Sequence, residues 1–483
     1  MADIFVDDRR SRTGGRQLTS HPSPTRSERV LAAIGDWLSH HQNSIHAVQW
    51  IVVGIYLFLV AVPAFWPLPP RGAHIWTNLI LFAQFVFWGI WWPFVLLSMI
   101  LVGRLWCGVL CPEGALSETI SRHGRGRSTP RWVSWKGWPF VAFACTTAYG
   151  QFVSVYQYPK PTLLILGGST LAAIAVGFLY GREKRVWCRY LCPVNGVFGL
   201  LAKLSPLHYR VDREAWEHSP KPVGVRGAHV NCAPLVPIRT MRGASQCHMC
   251  GRCSGFRGAV SLAPRSPSHE IVHVAGTQAR PWETWLITFG LMGLATAAFH
   301  WTSSASFVFV KQRLAEWLVA NTLSWWLTAE APWWLLTSYP DQNDVMTPLD
   351  GVVLAAYLVI VALAIGGALL LCLAASALIL KSATGAFRIP FHHLAQALIP
   401  LAGCNVFLGL FGLTTTMLHA EGINIPFLKE ARLLLMIAAA VWSLALSWRI
   451  LGRYTDAIMR RVGAMTPLAA AAAIGVAGWA IVI

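Results

Sequence analysis

Long runs of apolar residues alternate with polar connections along the 483-residue chain. Most of these runs approach the roughly 20 residues that a helix needs to cross a bilayer. Backbone that faces lipid has to satisfy its own hydrogen bonds, which favours helices. We therefore predict an all-α polytopic membrane protein with about nine transmembrane helices. The predicted spans are residues 46–66, 78–103, 137–157, 161–181, 282–300, 352–379, 391–418, 430–450 and 465–482.

Composition and charge place these helices in a membrane and orient them. The chain is 55% hydrophobic and 12% charged, which excludes a water-soluble fold. Its 39 Lys and Arg, against 21 Asp and Glu, concentrate after the second and fourth spans, so the positive-inside rule makes these connections and the N-terminus cytoplasmic. We expect a bacterial inner-membrane protein with a periplasmic C-terminus, surrounded by lipid and not bound to nucleic acid. The polar first 45 residues contain an amphipathic stretch, Val30 to Leu38, and no cleavable signal peptide.

The same pattern divides the chain into four parts. Residues 1–45 are expected to form a cytoplasmic tail with an amphipathic helix, and residues 46–204 a four-helix membrane unit. In residues 205–280 the apolar runs stop, which predicts a small, irregular cytoplasmic segment without much of a core. Residues 281–483 are expected to form a membrane unit of about five helices, whose tryptophan-rich stretch 301–350 lies in the periplasmic interface.

A repeated motif lies at the cytoplasmic exit of the second and fourth spans. Both copies read Trp-Cys-x-x-Leu-Cys-Pro, from Trp106 to Pro112 and from Trp187 to Pro193. Thiols four residues apart share one side of a helical turn, and the following proline ends that turn. Because repeated helix pairs commonly build a shared site where the copies meet, we predict a four-thiolate site at the membrane surface. It would hold a second [4Fe–4S] cluster or Cu(I), or act as a dithiol relay, through Cys107, Cys111, Cys188 and Cys192.

The cytoplasmic segment contains the run Cys247-His248-Met249-Cys250-Gly251-Arg252-Cys253. This C-x2-C-x2-C spacing wraps three thiolates around a [4Fe–4S] cluster. The fourth Cys-Pro of bacterial ferredoxins is missing, so the nearest candidate for the fourth ligand is the upstream Cys232. One cluster held by Cys232, Cys247, Cys250 and Cys253 is therefore predicted. A structural zinc site that includes His248 is the alternative, and a disulfide is disfavoured in the reducing cytoplasm.

These motifs together resemble the membrane iron–sulfur proteins typified by NapH, NosR and CcoG. The resemblance covers about residues 80–265 and rests on the two Cys-x3-Cys-Pro motifs and the run from Cys247 to Cys253. It implies helical hairpins followed by a ferredoxin-type segment, with iron–sulfur cofactors and redox partner proteins. Members usually carry two full ferredoxin motifs, and this chain departs from them by keeping only four cysteines for one. The flavin-carrying domain of NosR and the immunoglobulin-like domain of CcoG are not evident, so the resemblance does not assign the partner.

The second half offers weaker candidates for cofactor binding. His300 and His419 both fall at the outer ends of predicted helices, and pairs of histidines in membrane bundles commonly hold haem b. The alternative is that both histidines anchor helix ends at the interface. The stretch Ile399-Pro400-Leu401 is expected to kink its helix, either opening a quinone-sized cleft or simply packing. The remaining cysteines are isolated in spans and are expected to serve in packing: Cys145, Cys372 and Cys404.

The combined pattern predicts a membrane-bound iron–sulfur protein that relays electrons between a cytoplasmic donor or the quinone pool and a membrane or periplasmic acceptor. As an enzyme it would be a quinol or metal-ion oxidoreductase. One alternative is a factor that handles copper during oxidase assembly, using the four thiols of the repeated motif. Another is a transporter with a redox-sensing iron–sulfur segment. That alternative is disfavoured because the predicted spans hold almost no acidic residues, which coupled transporters usually need.

Overall fold

The computed structural model describes residues 25–70, 72–219, 230–278 and 280–480. Within these residues, seven helices are long and apolar enough to cross a membrane: Gln42–Phe65, Leu79–Val102, Pro159–Tyr180, Pro348–Ser382, Ile399–Ala420, Leu428–Leu451 and Ile458–Trp479. Shorter helices connect or flank them: Arg26–His40, Pro112–Ser121, Trp138–Phe152, Val186–Tyr190, Asn195–Leu201, Arg213–His218, Ala305–Ala320, Trp325–Thr328 and Arg388–Gln396. The chain is an all-α polytopic membrane protein, as its apolar runs predict.

Two of the predicted spans form helices that fall short of a membrane-crossing helix by length or composition. Trp138–Phe152 has only 15 residues. Residues 281–300 are helical throughout but carry polar residues at both ends, such as Glu283 and His300. The middle of this helix is buried by its neighbours rather than exposed to lipid. Length and hydropathy therefore support seven crossing helices in the described residues, and the predicted count of nine is not confirmed.

The longest helix shows how local sequence sets an element's limits. Pro348–Thr384 begins after Thr347, whose hydroxyl accepts from the Asp350 backbone N–H while the Asp350 carboxylate accepts from the Thr347 N–H. This capping box satisfies donors that a helix start otherwise leaves unpaired. The helix ends at Gly385, which adopts the left-handed conformation (φ 67°) that terminates many helices.

One short helix joins the two copies of the repeated motif. Pro112–Ser121, which we call the linker helix, follows the first motif directly and packs along the span Pro159–Tyr180 that precedes the second. The approach is close enough that a Cβ on Gly177 would lie 2.7 Å from the Ser117 carbonyl oxygen. Only glycine permits such a backbone separation. The two motifs are therefore held side by side at one end of the bundle.

The described part of the segment 205–280 is mostly irregular, with one small sheet. Strand β1 (Leu207–Val211) pairs antiparallel with β2 (Val260–Pro264). The N-terminal helix Arg26–His40, which we call the cap helix, lies across β2, so part of the predicted tail 1–45 belongs to this segment. Residues before 25 lie outside the described part. The segment's apolar cluster is small and has two of the cysteines packed against it: Tyr209, Met249, Val260 and Leu262, with Cys247 and Cys253.

The second half packs into one large core with the first. That core joins residues of both halves, among them Met99, Leu291, Leu401 and Leu468. The expected kink at Ile399-Pro400-Leu401 is wrong, because the helix Arg388–Gln396 ends before it and a new helix starts at Ile399 with Pro400 in its first turn. A proline there replaces an N–H that would have no partner anyway. Ile399 and Leu401 are at most 1% exposed, so this stretch does not open a cleft.

The tryptophan-rich stretch 301–350 contains two helices, Ala305–Ala320 and Trp325–Thr328. It also contains a short antiparallel hairpin whose strands have two residues each, β3 (Ser338–Tyr339) and β4 (Asp344–Val345). Phe307 and Leu318 face the helix Pro348–Thr384, and the opposite apolar side chains stay exposed. The exposed set includes Phe309, Trp317, Trp325 and Trp334. A helix with so much outward apolar surface suits an interfacial position, which the sequence also predicts.

Candidate iron–sulfur centres

Each copy of the repeated motif presents its cysteines from a tight turn beside a helix end. In the first copy, Trp106–Leu110 form a widened helical turn, and Cys111 then stands at the N-terminal cap of the linker helix. The Gly114 backbone N–H donates to Cys111 Sγ at 3.4 Å. Pro112 therefore begins a helix rather than merely ending a turn. In the second copy, Cys188 lies within the one-turn helix Val186–Tyr190.

The fold brings the four thiols of the two copies together. All four line one cavity of about 230 Å³ at one end of the membrane bundle: Cys107, Cys111, Cys188 and Cys192. Burial raises the pKa of Cys111 and of Cys192, and the neighbouring Cys188 raises both further. Each of these thiols thus lies close enough to another to feel its charge. If these four groups were to act as thiolates, their buried site would require a compensating cation.

Arginine supplies positive charge at this site. Arg185 is 1% exposed, its Nη1 donates to the Cys107 carbonyl oxygen at 2.5 Å, and its charge acts on Cys188. Arg104, also buried, donates to the Ser245 carbonyl oxygen at 3.0 Å and to Asn195 Oδ1 at 2.8 Å. Hydrogen bonds hold both guanidinium groups, so each positive charge has a defined position beside the thiols.

The ferredoxin-type run forms a loop that brings a second group of thiols together. Met249 (φ 55°) and Gly251 (φ 79°) take left-handed conformations that turn the chain between the cysteines. The Met249 N–H donates to Cys247 Sγ at 3.4 Å. Four thiols line a small pocket of about 20 Å³ together with Tyr209 and His248: Cys232, Cys247, Cys250 and Cys253.

Cys232 reaches this pocket from a separate stretch of chain. The Arg185 N–H donates to the Ala233 carbonyl oxygen at 2.8 Å, and Lys184 Nζ donates to the Cys232 carbonyl oxygen at 3.2 Å. Burial raises the pKa of Cys232, and Cys250 raises it further. The segment that carries the fourth cysteine is thus tied to the residues just before the second repeated motif.

His248 lies between the two groups of cysteines. Its side chain is 2% exposed, and it lines both the larger cavity and the smaller pocket. Nδ1 has no hydrogen-bond partner among the described residues. Burial, with the charges of Arg104 and Arg185, holds the pKa of His248 well below its usual range, so the ring is neutral.

The two groups meet at a backbone contact. A Cβ placed on Gly108, between the first two motif cysteines, would lie 2.1 Å from the His248 carbonyl oxygen and 2.9 Å from the Cys250 nitrogen. Gln49 Nε2 donates to the Gly108 carbonyl oxygen at 2.9 Å, and Gln42 Nε2 donates to the Cys250 carbonyl oxygen at 3.0 Å. The first membrane helix thereby holds both loops in contact.

Comparison with protein families gives a match to part of the chain. The 4Fe-4S binding domain family matches residues 84–130 and 163–211, which contain both copies of the repeated motif. In these residues the chain is similar to the ferredoxin-type membrane iron–sulfur proteins. The match stops before the ferredoxin-type run. The prediction that this run binds a cluster therefore depends on the spacing and geometry of its cysteines alone. No solved structure matches the chain.

Three curated relatives of this ferredoxin-type family are similar to parts of the chain. The electron transport protein YccM of Escherichia coli K12 is 23% identical over 235 residues, which are 44% of this chain and 64% of YccM. The methylamine utilization ferredoxin-type protein MauN of Methylorubrum extorquens is 28% identical, covering 23% of this chain and 42% of MauN. The regulatory protein NosR of Pseudomonas aeruginosa is 28% identical, covering 23% of this chain and 18% of NosR. The chain thus spans less than two thirds of the length of each of these relatives.

The donor atoms suit iron–sulfur clusters better than a single metal ion. Within the described ranges, no three His, Cys, Asp or Glu side chains lie close enough together to hold one ion. A tetrahedral zinc site needs four ligands around one centre, whereas the four thiolates of a [4Fe–4S] cluster bind four different irons and lie farther apart. Backbone N–H groups already point at Cys111 and Cys247, and such hydrogen bonds are common around cluster sulfurs. When bound, a cluster supplies one-electron oxidation and reduction.

The larger cavity extends beyond its cysteines into the membrane bundle. Its walls there are mainly aromatic and aliphatic: Tyr56, Phe87, Trp88, Trp91, Trp92, Val95, Leu96, Phe143, Tyr156, Phe299 and Leu410. Glu113 also lines the cavity, and its Oε2 accepts from Trp187 Nε1 at 3.1 Å. Burial raises the pKa of this carboxyl group. The four thiols therefore border a space that an apolar redox molecule would fit.

His300 and His419, the two histidines singled out for haem, have different neighbours. His300 is buried, and its ring lies edge-on to Trp479 with centroids 4.3 Å apart. His419 is exposed, and its Nδ1 bonds Asn424 Oδ1 at 2.6 Å. A third buried histidine, His393, is hydrogen-bonded to the Ile271 carbonyl oxygen and to the Tyr454 hydroxyl. A shared haem between His300 and His419 gains no support from these contacts.

Several site residues are not evident from the motifs. Glu118, Arg185 and Arg252 form a buried charge network, and the cap helix closes the ferredoxin-type loop through a hydrogen bond from Ser254 to Asp36 at 2.8 Å. A usable signal is the scarcity of acidic residues beside the repeated motifs, where only Glu113, Glu118 and Glu183 lie between residues 104 and 193. Buried acidic residues such as Glu118 have to find partners, and the abundant arginines beside the motifs provide them.

Proposed function

We propose that the protein carries electrons along the cytoplasmic surface of the membrane through two [4Fe–4S] clusters. Donor and acceptor would be a cytoplasmic protein or the quinone pool on one side and a membrane or periplasmic protein on the other. The observation that carries this proposal is the direct contact between the two groups of cysteines at Gly108 and His248. Two redox centres that share a loop-to-loop contact, with buried arginines between them, are arranged for exchange of electrons rather than for separate structural roles.

The ligands divide into two sets. The ferredoxin-type cluster would be held by Cys232, Cys247, Cys250 and Cys253, and the membrane-surface cluster by Cys107, Cys111, Cys188 and Cys192. The match to the 4Fe-4S binding domain family supports the second set, because the matched residues contain all four of its cysteines. The residues 205–280 would then form a cytoplasmic iron–sulfur segment, whose small core is compensated by its cofactor.

The apolar cavity beside the membrane-surface thiols supports exchange with a quinone. A quinone needs an apolar space for its ring and donors for its carbonyl oxygens. The cavity of about 230 Å³ provides aromatic walls, and Trp88 and Trp92 have indole N–H groups without partners among the described residues. Glu113 stands where protons would have to enter or leave. This side would connect the clusters to the membrane.

The charge distribution supports the orientation of the proposed circuit. The connections that carry both cysteine groups are the basic ones, so the clusters would face the cytoplasm of the bacterial inner membrane. The C-terminus and the stretch 301–350 would then lie on the periplasmic side. Redox partner proteins would approach the ferredoxin-type segment from the cytoplasm or the 301–350 surface from outside.

Metal analysis of the full chain, purified without oxygen, tests the proposal. Two clusters require about eight irons and eight sulfides per chain, with electron paramagnetic resonance signals that appear on reduction by dithionite. About four irons would leave a single cluster and remove the proposed relay. Copper or zinc without sulfide would replace it with a metal-handling role for the same thiols.

A further inference from the structure

One carboxylate ties both groups of cysteines together. Glu118 lies on the linker helix, and its side chain is 7% exposed. Its Oε2 accepts from Arg185 Nε at 2.7 Å, and its Oε1 lies 2.6 Å from Arg252 Nη2. Each carboxylate oxygen therefore binds a different arginine, and both arginines come from distant parts of the chain.

The two arginines belong to different sites. Arg185 immediately precedes the second repeated motif, and its Nη1 also donates to the carbonyl oxygen of Cys107. Arg252 lies inside the ferredoxin-type run, between Cys250 and Cys253, and its Nε also donates to Gln42 Oε1 at 3.0 Å. Glu118 thus connects the membrane-surface thiols on one side with the ferredoxin-type loop on the other.

Two other buried ion pairs among the described residues do not make this connection. Arg265 and Glu270, both at most 4% exposed in their side chains, pair within the cytoplasmic segment. Lys203 and Glu283 pair at the boundary between the two membrane units, away from both groups of cysteines. Ion pairs of this kind are costly to desolvate, so their presence alone does not indicate function. What distinguishes Glu118 is that its two partners come from two redox sites.

We propose that Glu118 is a positioning residue that fixes the separation of the two cysteine sites. The inference rests on the proposed function, because it presumes a cluster at each site. The rate of electron transfer between two buried centres falls steeply as the distance between them increases. A rigid bridge of two charge-assisted hydrogen bonds, beside the glycine contact at Gly108, would keep that separation short. Each transfer would move one electron from one cluster to the other. One site would then be oxidised by one electron while the other is reduced by one electron.

The test compares Glu118→Gln with wild type as the purified full chain, using iron and sulfide content together with electron paramagnetic resonance of the fully reduced protein. Two reduced clusters at short range split and broaden each other's signals, and that interaction reports their separation rather than turnover. We expect Glu118→Gln to retain about eight irons and to lose the interaction, leaving two independent signals.

Two further variants make the result decisive. Arg252→Met removes one arm of the bridge and leaves the Arg185 pair intact, so it should weaken the interaction even if Glu118→Gln does not accumulate. Glu283→Gln breaks a buried pair away from both sites and should leave the interaction unchanged. An unchanged interaction in fully loaded Glu118→Gln and Arg252→Met would overturn the inference. Loss of iron from both variants would overturn it too, because the bridge would then hold the sites themselves. About four irons in wild type would instead refute the proposed function.

Discussion

Adding one methyl group at Gly108 probes the contact between the two cysteine loops directly. A Cβ there would lie 2.1 Å from the His248 carbonyl oxygen, 2.9 Å from the Cys250 nitrogen and 3.0 Å from the Cys250 Cα. All three atoms are backbone, so no flexible side chain can move aside. To reach ordinary contact of about 3.5 Å, the loops would have to separate by more than ~1 Å.

The cost follows from the behaviour of closely packed interiors. Inserting a methyl group into a filled site costs about 1–3 kcal/mol, and a value of about 2 kcal/mol changes an equilibrium roughly 30-fold. Gly108→Ala should therefore increase the population in which the two loops are apart by about that factor. Because local opening exposes the ferredoxin-type cysteines, a chelator should remove iron from the protein faster by a similar factor.

The assay is the rate of iron release to an excess of a coloured ferrous chelator, measured without oxygen on the detergent-solubilised full chain. Gly54→Ala is the matched control, because a Cβ at Gly54 meets nothing within 4 Å. The control should release iron at the wild-type rate. If Gly108→Ala also releases iron at that rate with a full set of irons, the two loops are not in contact in the way described, and the reasoning fails.

The remaining predictions concern individual ligands and the cap helix. Cys250→Ser should lower the iron content by about four per chain, whereas Cys145→Ser, a change at an exposed cysteine outside both groups, should not; equal iron in both variants would contradict the ligand assignment. Cys107→Ser should abolish electron delivery and leave the ferredoxin-type resonance signal in place, and unimpaired turnover would reduce the repeated motif to packing. Asp36→Asn weakens the hydrogen bond from Ser254, at a cost of about 1 kcal/mol. This loss of stability should appear as faster amide hydrogen exchange across residues 26–40. Unchanged protection there would show that the cap helix is held by its apolar face alone.

The motifs could be predicted from sequence because their chemistry is local. The spacing of Cys247, Cys250 and Cys253 is fixed by the geometry of a cubane, and the repeated Cys-x3-Cys-Pro sequence sets two thiols on one turn. The class of fold follows from apolar length in the same way. The all-α membrane fold and the likeness to 4Fe-4S membrane proteins are confirmed, whereas the individual cluster ligands stay predictions.

The connections between the motifs could not be predicted in this way. Glu118 and Arg185 are 67 residues apart, and only the packing of the linker helix against the following hairpin brings them together. Pro400 shows a second difficulty. A proline inside a long apolar run indicates a kink or a helix start equally well, and the buried break before Ile399 decides for the start. The predicted count of nine crossing helices is not confirmed, because Trp138–Phe152 has only 15 residues and residues 281–300 carry polar residues at both ends.

The cap helix has a consequence for the order in which the protein matures. Gly35 of this helix rests against Leu262 and Ser254, and Gln42 just after it reaches Cys250. The helix leaves the ribosome early, but the surface that it covers is complete only after β2 has been synthesised. The beginning of the chain therefore packs last in this segment, because the cap helix can dock only after every residue from Cys232 to Pro264 has been synthesised.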